Sequence, residues 1–119
     1  MSAERLLIVD DEPALLGLLR RYLEKQGYEV EASPGPRDAL ARFTKDPAQF
    51  SLVISDLTFP EMSGEDMLER MREVNPRLRA ILSSGYPHEP RLAGVGFLQK
   101  PYLPDMLSAA VAKALKARL

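Results

Sequence analysis

Asp10, Asp11, Asp56, Ser84 and Lys100 stand at or just beyond the ends of short apolar runs. Leu6-Leu7-Ile8-Val9 leads into Asp10-Asp11, Leu52-Val53-Ile54 into Ser55-Asp56, Ala80-Ile81-Leu82 into Ser83-Ser84, and Val95-Gly96-Phe97-Leu98 into Gln99-Lys100. Brought together, these carboxylates, hydroxyls and the ammonium could hold a hard divalent cation and a phosphoryl group, because carboxylate oxygens suit the first and a Lys pairs with the oxygens of the second. Carboxylates a few ångströms apart cannot all ionise freely, so such a pocket takes up either a cation or a proton. Mg²⁺ is the natural cation: it uses few protein carboxylates, keeps several waters and leaves positions for phosphate oxygens.

Placing these residues together requires parallel strands. Residues 6–9 and 52–54 are continuously apolar, as expected of strands buried on both faces, whereas Tyr28-Glu29-Val30-Glu31-Ala32 alternates and suits a half-exposed edge. Between strands the spacing turns helical. Leu15, Leu16, Leu19, Tyr22 and Leu23 form a stripe that opens near Asp11-Glu12-Pro13, with Asp11 as a possible cap, and stops at Gly27. Ala39, Leu40 and Phe43 form a second, closed by Asp46-Pro47. Met67, Leu68, Met71 and Val74 form a third, with Ser63 as its cap and Asp66 as the capped position. Met106, Leu107, Ala110, Val111, Ala114 and Leu115 form the last, opened by Leu103-Pro104-Asp105. The alternation predicts an α/β fold, a three-layer sandwich around a five-stranded parallel sheet. With the alternating strand at the edge, the order is 2-1-3-4-5 and the switch point lies between strands one and three, where Asp10, Asp11 and Asp56 sit.

Composition bounds the alternatives. A chain of 119 residues is expected to be one domain, residues 1–119. It has no Cys, which excludes disulfides and thiolate metal sites, and one His, His88, which argues against a Ser-His-Asp hydrolase. Sixteen Lys and Arg against seventeen Asp and Glu give a formal charge of −1, so no electrostatic case exists for nucleic acid as a partner. No apolar stretch is long enough for a bilayer and the first residues lack a signal-peptide pattern, which predicts a soluble, cytoplasmic protein with no membrane partner.

Taken together, the Asp10-Asp11 pair, the stretch Asp56-x-x-x-Pro60-x-Met62-x-Gly64, Ser84-Gly85 and Lys100-Pro101 resemble the receiver domain of two-component response regulators over essentially the whole chain, with the flavodoxin-like fold. Ser-Gly-Tyr after strand four and Phe-Leu-Gln-Lys-Pro in strand five look most like receivers attached to hybrid sensor kinases. The resemblance implies that Asp56 accepts a phosphoryl group from a histidine kinase or phosphotransfer protein. It implies that Asp10 and Asp11, with the Asp56 carboxylate and the Thr58 backbone carbonyl, bind Mg²⁺. Ser84 becomes the switch hydroxyl, favoured over Ser83 because Gly85 matches the small residue that follows it. Lys100 pairs with another phosphoryl oxygen, and Phe97 is the rotating aromatic of strand five. A cis peptide is expected between Lys100 and Pro101, since Lys100 must turn back towards Asp56 and X-Pro bonds reach cis at modest cost.

Two departures from the family pattern stand out. Phe59 occupies a position where Met is common, a change of packing beneath the loop. Only 16 positions separate Ser84 from Lys100, and Pro87 and Pro90 fall among them, so helix four, between strands four and five, is expected to be short or absent. That segment has few apolar residues to anchor it, and Tyr86 and His88 read as surface residues without a task. A dimer needs a large self-complementary patch, and a missing helix removes part of one, so the protein is expected to stay a monomer and to signal to a downstream protein partner. The competing readings are a pseudo-receiver that no longer takes phosphate and a small Mg²⁺-dependent phosphatase-like domain. The first calls for a lost site residue, and the second for an Asp-x-Asp or Gly-rich phosphate motif; the sequence has neither feature. A receiver is not a turnover enzyme.

Overall fold

The computed structural model describes residues 4–116. Strands β1 (Arg5–Val9), β2 (Glu29–Ser33), β3 (Leu52–Asp56), β4 (Ala80–Ser84) and β5 (Val95–Gln99) alternate with helices α1 (Pro13–Lys25), α2 (Pro36–Lys45), α3 (Gly64–Val74) and α4 (Pro104–Lys116). Every ladder is parallel and the sheet order is β2-β1-β3-β4-β5, so the flavodoxin-like expectation holds. Residues 85–94, joining β4 to β5, contain no helix.

The continuous apolar runs acquire their meaning from the pleat. Leu7, Val9, Val53, Ala80 and Leu82 point to one face, where Ala39 and Phe43 of α2 and Met67, Leu68 and Met71 of α3 cover them. Leu6, Ile8, Leu52, Ile54 and Ile81 point to the other, beneath Leu16 and Leu23 of α1 and Leu107 and Val111 of α4. A strand covered on both faces has no solvent side on which to place polar residues, so its polar residues collect at its end.

Local signals set the helix limits. Pro13 and Pro36 occupy first helical positions, Gly27 has φ of 98° just beyond α1, and Ser63 Oγ accepts from Asp66 N at 3.0 Å to cap α3. Three details differ from the sequence reading. Asp11 does not cap α1: Glu12 stands at the cap without a side-chain bond, and Glu12 N donates instead to Asp10 Oδ1 at 2.9 Å. Val74 and Met106 are exposed, because each lies at the margin of its helix's buried stripe, near a helix end. Residues 85–94 have a single apolar anchor, the partly buried Leu92, and are otherwise fastened by polar contacts, as detailed below.

Candidate functional site

The carboxyl ends of β1, β3 and β5 meet as the topology demands. Asp10 follows β1, its amide donating to Ser33 O of β2 at 3.1 Å, and it is 4% exposed. Asp56 ends β3. Its Oδ1 accepts from Leu57 N at 3.0 Å, and the same amide donates to Ser83 O of β4 at 2.8 Å. Asp11 is exposed, yet it offers an oxygen that lies with one from Asp10 and one from Asp56 inside a cluster no more than 4.8 Å across. Lys100 reaches over from the end of β5, with Nζ 3.0 Å from Asp10 Oδ2 and 3.7 Å from Asp56 Oδ1. Its backbone is held by Lys100 N donating to Ser84 O at 2.8 Å, and the Lys100–Pro101 peptide is cis.

Electrostatics follow from this crowding. Burial, with the charges of Asp10 and Asp11, pushes the Asp56 carboxyl above the ordinary aspartate range against the opposing pull of Lys100 and the Leu57 amide. Burial disfavours the Lys100 charge, but the hydrogen bond and charge of Asp10, with the charge of Asp56, outweigh it and raise its pKa. Tyr102, two residues on, lines a small cavity with Asp10, Asp56 and Ser83, and burial raises its phenol.

The segment after β3 is closed by glycine. Gly64 N donates to Leu57 O at 2.7 Å. A Cβ on Gly64 would overlap the backbone carbonyl of Asp56 and lie 2.9 Å from Ser55 Oγ, so no larger residue could bring α3 this close to the strand end. Thr58 is exposed in this loop, while Phe59 is buried in the core cluster that Leu57 and Met62 pack against.

Other sequence-nominated residues stand at greater remove. Ser84 is buried at the end of β4, and its Oγ accepts from Tyr86 N at 3.1 Å, which orients the hydroxyl towards its own loop while its O–H is left to donate. Phe97 is half-buried on β5 against the core of the α2 and α3 face, its ring 6.2 Å from that of His88. Sequence reasoning missed Glu65. It is 4% exposed in the first turn of α3, with Oε1 3.0 Å from His88 Nε2 and Oε2 accepting from Arg91 N at 2.6 Å. A signal did exist: Glu65 stands three residues before Leu68, on the flank of the apolar stripe, where a charge needs a partner.

This arrangement coincides with a known sequence family: residues 6–112 match the response regulator receiver domain. The chain belongs to that family. The receiver is 31% identical over 121 residues to the sensor kinase CckA of Brucella abortus, covering 97% of this chain and 13% of that kinase. It is 30% identical over 121 residues to sporulation initiation phosphotransferase F of Bacillus subtilis, covering 97% of this chain and 96% of that protein. The response regulator TrrA of Thermotoga maritima, solved in complex with Mg²⁺ and BeF, superposes with a TM-score of 0.82 at 30% identity, over 93% of this chain and 98% of that one. The receiver therefore spans a small part of some relatives and nearly all of others. It is a phosphoacceptor signalling module of the two-component type, a class whose partners are histidine kinases or phosphotransfer proteins. Among its described residues no helix is long and apolar enough to cross a membrane.

Proposed function

We propose that the chain acts as one receiver domain in which Asp56 is the phosphoacceptor. The observation that carries this reading is the position of its carboxylate, beside Asp10 and Asp11 and 3.7 Å from Lys100 Nζ, at the sheet's switch point. A carboxylate oxygen of Asp56 attacks the phosphorus of a phosphohistidine. The phosphorus–nitrogen bond breaks, the imidazole leaves with the electron pair, and an acyl phosphate forms. Such a transfer asks the protein mainly for positioning and for positive charge around the phosphoryl oxygens. Lys100 supplies one such charge. Ser84 exchanges its contact with Tyr86 N for a phosphoryl oxygen, and Phe97 moves with that loop.

The donor set fits Mg²⁺. Carboxylate oxygens no more than 4.8 Å apart need to draw together only modestly to reach the about 3.0 Å between adjacent and about 4.2 Å between opposite oxygens of an octahedral ion whose oxygens lie ~2.1 Å away. Asp10, Asp11 and Asp56, with the Thr58 carbonyl, would hold it. When bound, it would neutralise part of the charge on the transferred group. Support comes from the chemistry of this cluster and from the Mg²⁺ and BeF complex of the related TrrA. The molecule works in the cytoplasm, as a monomer that takes its phosphoryl group from a kinase or phosphotransfer protein and passes a conformational signal to a protein partner, without turnover chemistry of its own.

Acetyl phosphate with Mg²⁺, followed by intact mass, tests the assignment. One phosphoryl group on the wild type and none on Asp56→Asn are expected, with borohydride trapping and peptide mapping placing the label at Asp56. Label retained at full rate in Asp56→Asn would overturn it.

A further inference from the structure

Glu65 is as buried as Asp10, yet it lies outside the acidic cluster and makes most of its contacts with a different segment. Burial raises its pKa, but the amides of Arg91 and Leu92 and the His88 ring outweigh that and hold the carboxyl below the ordinary glutamate range. The carboxylate is thus ionised and accepts, so His88 Nε2 carries the proton of their 3.0 Å bond. An ionised carboxylate this buried is tolerated only with such partners. Around it, the Arg91 guanidinium reaches Glu69 at 2.7 Å and Asp66 at 2.6 Å, and Arg72 Nη1 donates to Ala93 O at 2.6 Å. Residues 88–93 are in this way tied to α3 by side-chain chemistry where no intervening helix exists.

The opposite end of the same segment holds Ser84, whose Oγ accepts from Tyr86 N. Tyr86 is two residues from His88, which leaves little slack. Turning Ser84 towards Asp56 would carry Oγ away from Tyr86 N and leave that amide without its acceptor, so the loop must readjust, and any readjustment at Tyr86 is opposed by the tie of His88 to Glu65. His88 also lies against Phe97, so the ring of β5 shares the same restraint. On its other side, Glu65 follows Gly64, whose amide fixes the loop after Asp56. One helical turn therefore grips both loops that flank the site.

We propose that Glu65 is a positioning residue that latches residues 85–94 to α3 in the unphosphorylated arrangement and so limits how readily Ser84 is released towards a phosphoryl group on Asp56. This rests on the roles given above to Asp56 and Ser84. Loosening the latch raises the fraction of molecules in the competent arrangement, and phosphorylation by a small donor scales with that fraction.

The test follows phosphorylation of the purified chain by acetyl phosphate with Mg²⁺, using intact mass, for wild type, Glu65→Gln, His88→Ala and the double variant. Glu65→Gln keeps size and removes charge. Should it fail to fold, His88→Ala, whose native side chain is 32% exposed, carries the same comparison. Each single variant should label about three- to ten-fold faster than wild type, and the double variant no faster than Glu65→Gln alone, because the His88 contact is among those that Glu65→Gln already weakens. Amide exchange of residues 86–92 should quicken without donor while the strands stay unchanged, a pattern that general destabilisation would not give. Variants that label no faster than a competent wild type overturn the latch and leave Asp56 in place. A wild type that takes no label overturns both readings.

Discussion

Two carboxylates of this domain are tuned in opposite directions by what surrounds them. Asp56 is raised by burial and by its neighbours Asp10 and Asp11. A raised carboxyl is more easily protonated in the folded than in the unfolded state, so its ionised form weakens the fold as pH rises from the ordinary value of 3.8 through the folded one. Asp56→Asn should therefore melt a few degrees higher than wild type at pH 7 without Mg²⁺, and the gain should vanish near pH 3, as measured by thermal unfolding. Glu65 is lowered, because hydrogen bonds from residues 88–92 outweigh its burial. Its stabilisation is present above the ordinary value of 4.5 and lost as pH falls through the folded value. Glu65→Gln should unfold at lower urea concentration than wild type at pH 7, and the two should converge once pH has fallen below the folded value of Glu65, where neither side chain is charged. The cluster of Asp10, Asp11, Asp56 and Lys100 was legible because each member ends a strand and inherits its position from the fold. Glu65 was not, since His88 and Arg91 lie 23 and 26 positions away and only the path of an irregular segment brings them together.

At the scale of elements, the join between β3 and α3 is the tightest. A side chain on Gly64 would collide with backbone rather than with a flexible neighbour, so Gly64→Ala should cost about 1–3 kcal/mol by chemical denaturation, as overpacking does. Ser63→Ala removes one cap bond from the same helix and should cost about 1 kcal/mol. The larger loss expected for the smaller chemical change separates steric from capping roles. Strands and helices could be read from the chain because burial imposes period: continuous for the inner strands, alternating for β2, helical between them. Periodicity marks a face and not its limits, hence the exposed Val74 and Met106 near helix ends. The β4 to β5 connection carries no period, only two prolines that forbid a long helix, so its anchorage to α3 through Arg72 and Arg91 was invisible.

For the whole molecule, the sheet order follows from one amphipathic strand and two apolar ones, and it is this order that places every candidate site residue on one edge. Oligomeric behaviour depends on what that architecture omits: with residues 85–94 irregular, the surface between β4 and α4 lacks a helix. Sedimentation with Mg²⁺ and beryllofluoride should show a monomer, as without them; an activation-dependent dimer burying residues 86–116 would refute this. Mg²⁺ should raise the melting temperature of the wild type by linkage, and Asp11→Ala should abolish the rise. The 3.0 Å contact between Lys100 and Asp10 carries a further consequence. The ammonium is an internal counter-ion, so cation uptake is an exchange and not an addition: the incoming ion must displace a charge already satisfied. Affinity then measures the difference between two occupants. Lys100→Met, which deletes the resident one, should shift the Mg²⁺ titration of melting temperature to lower concentration even as it slows phosphorylation, so that the same residue weakens the metal it works beside.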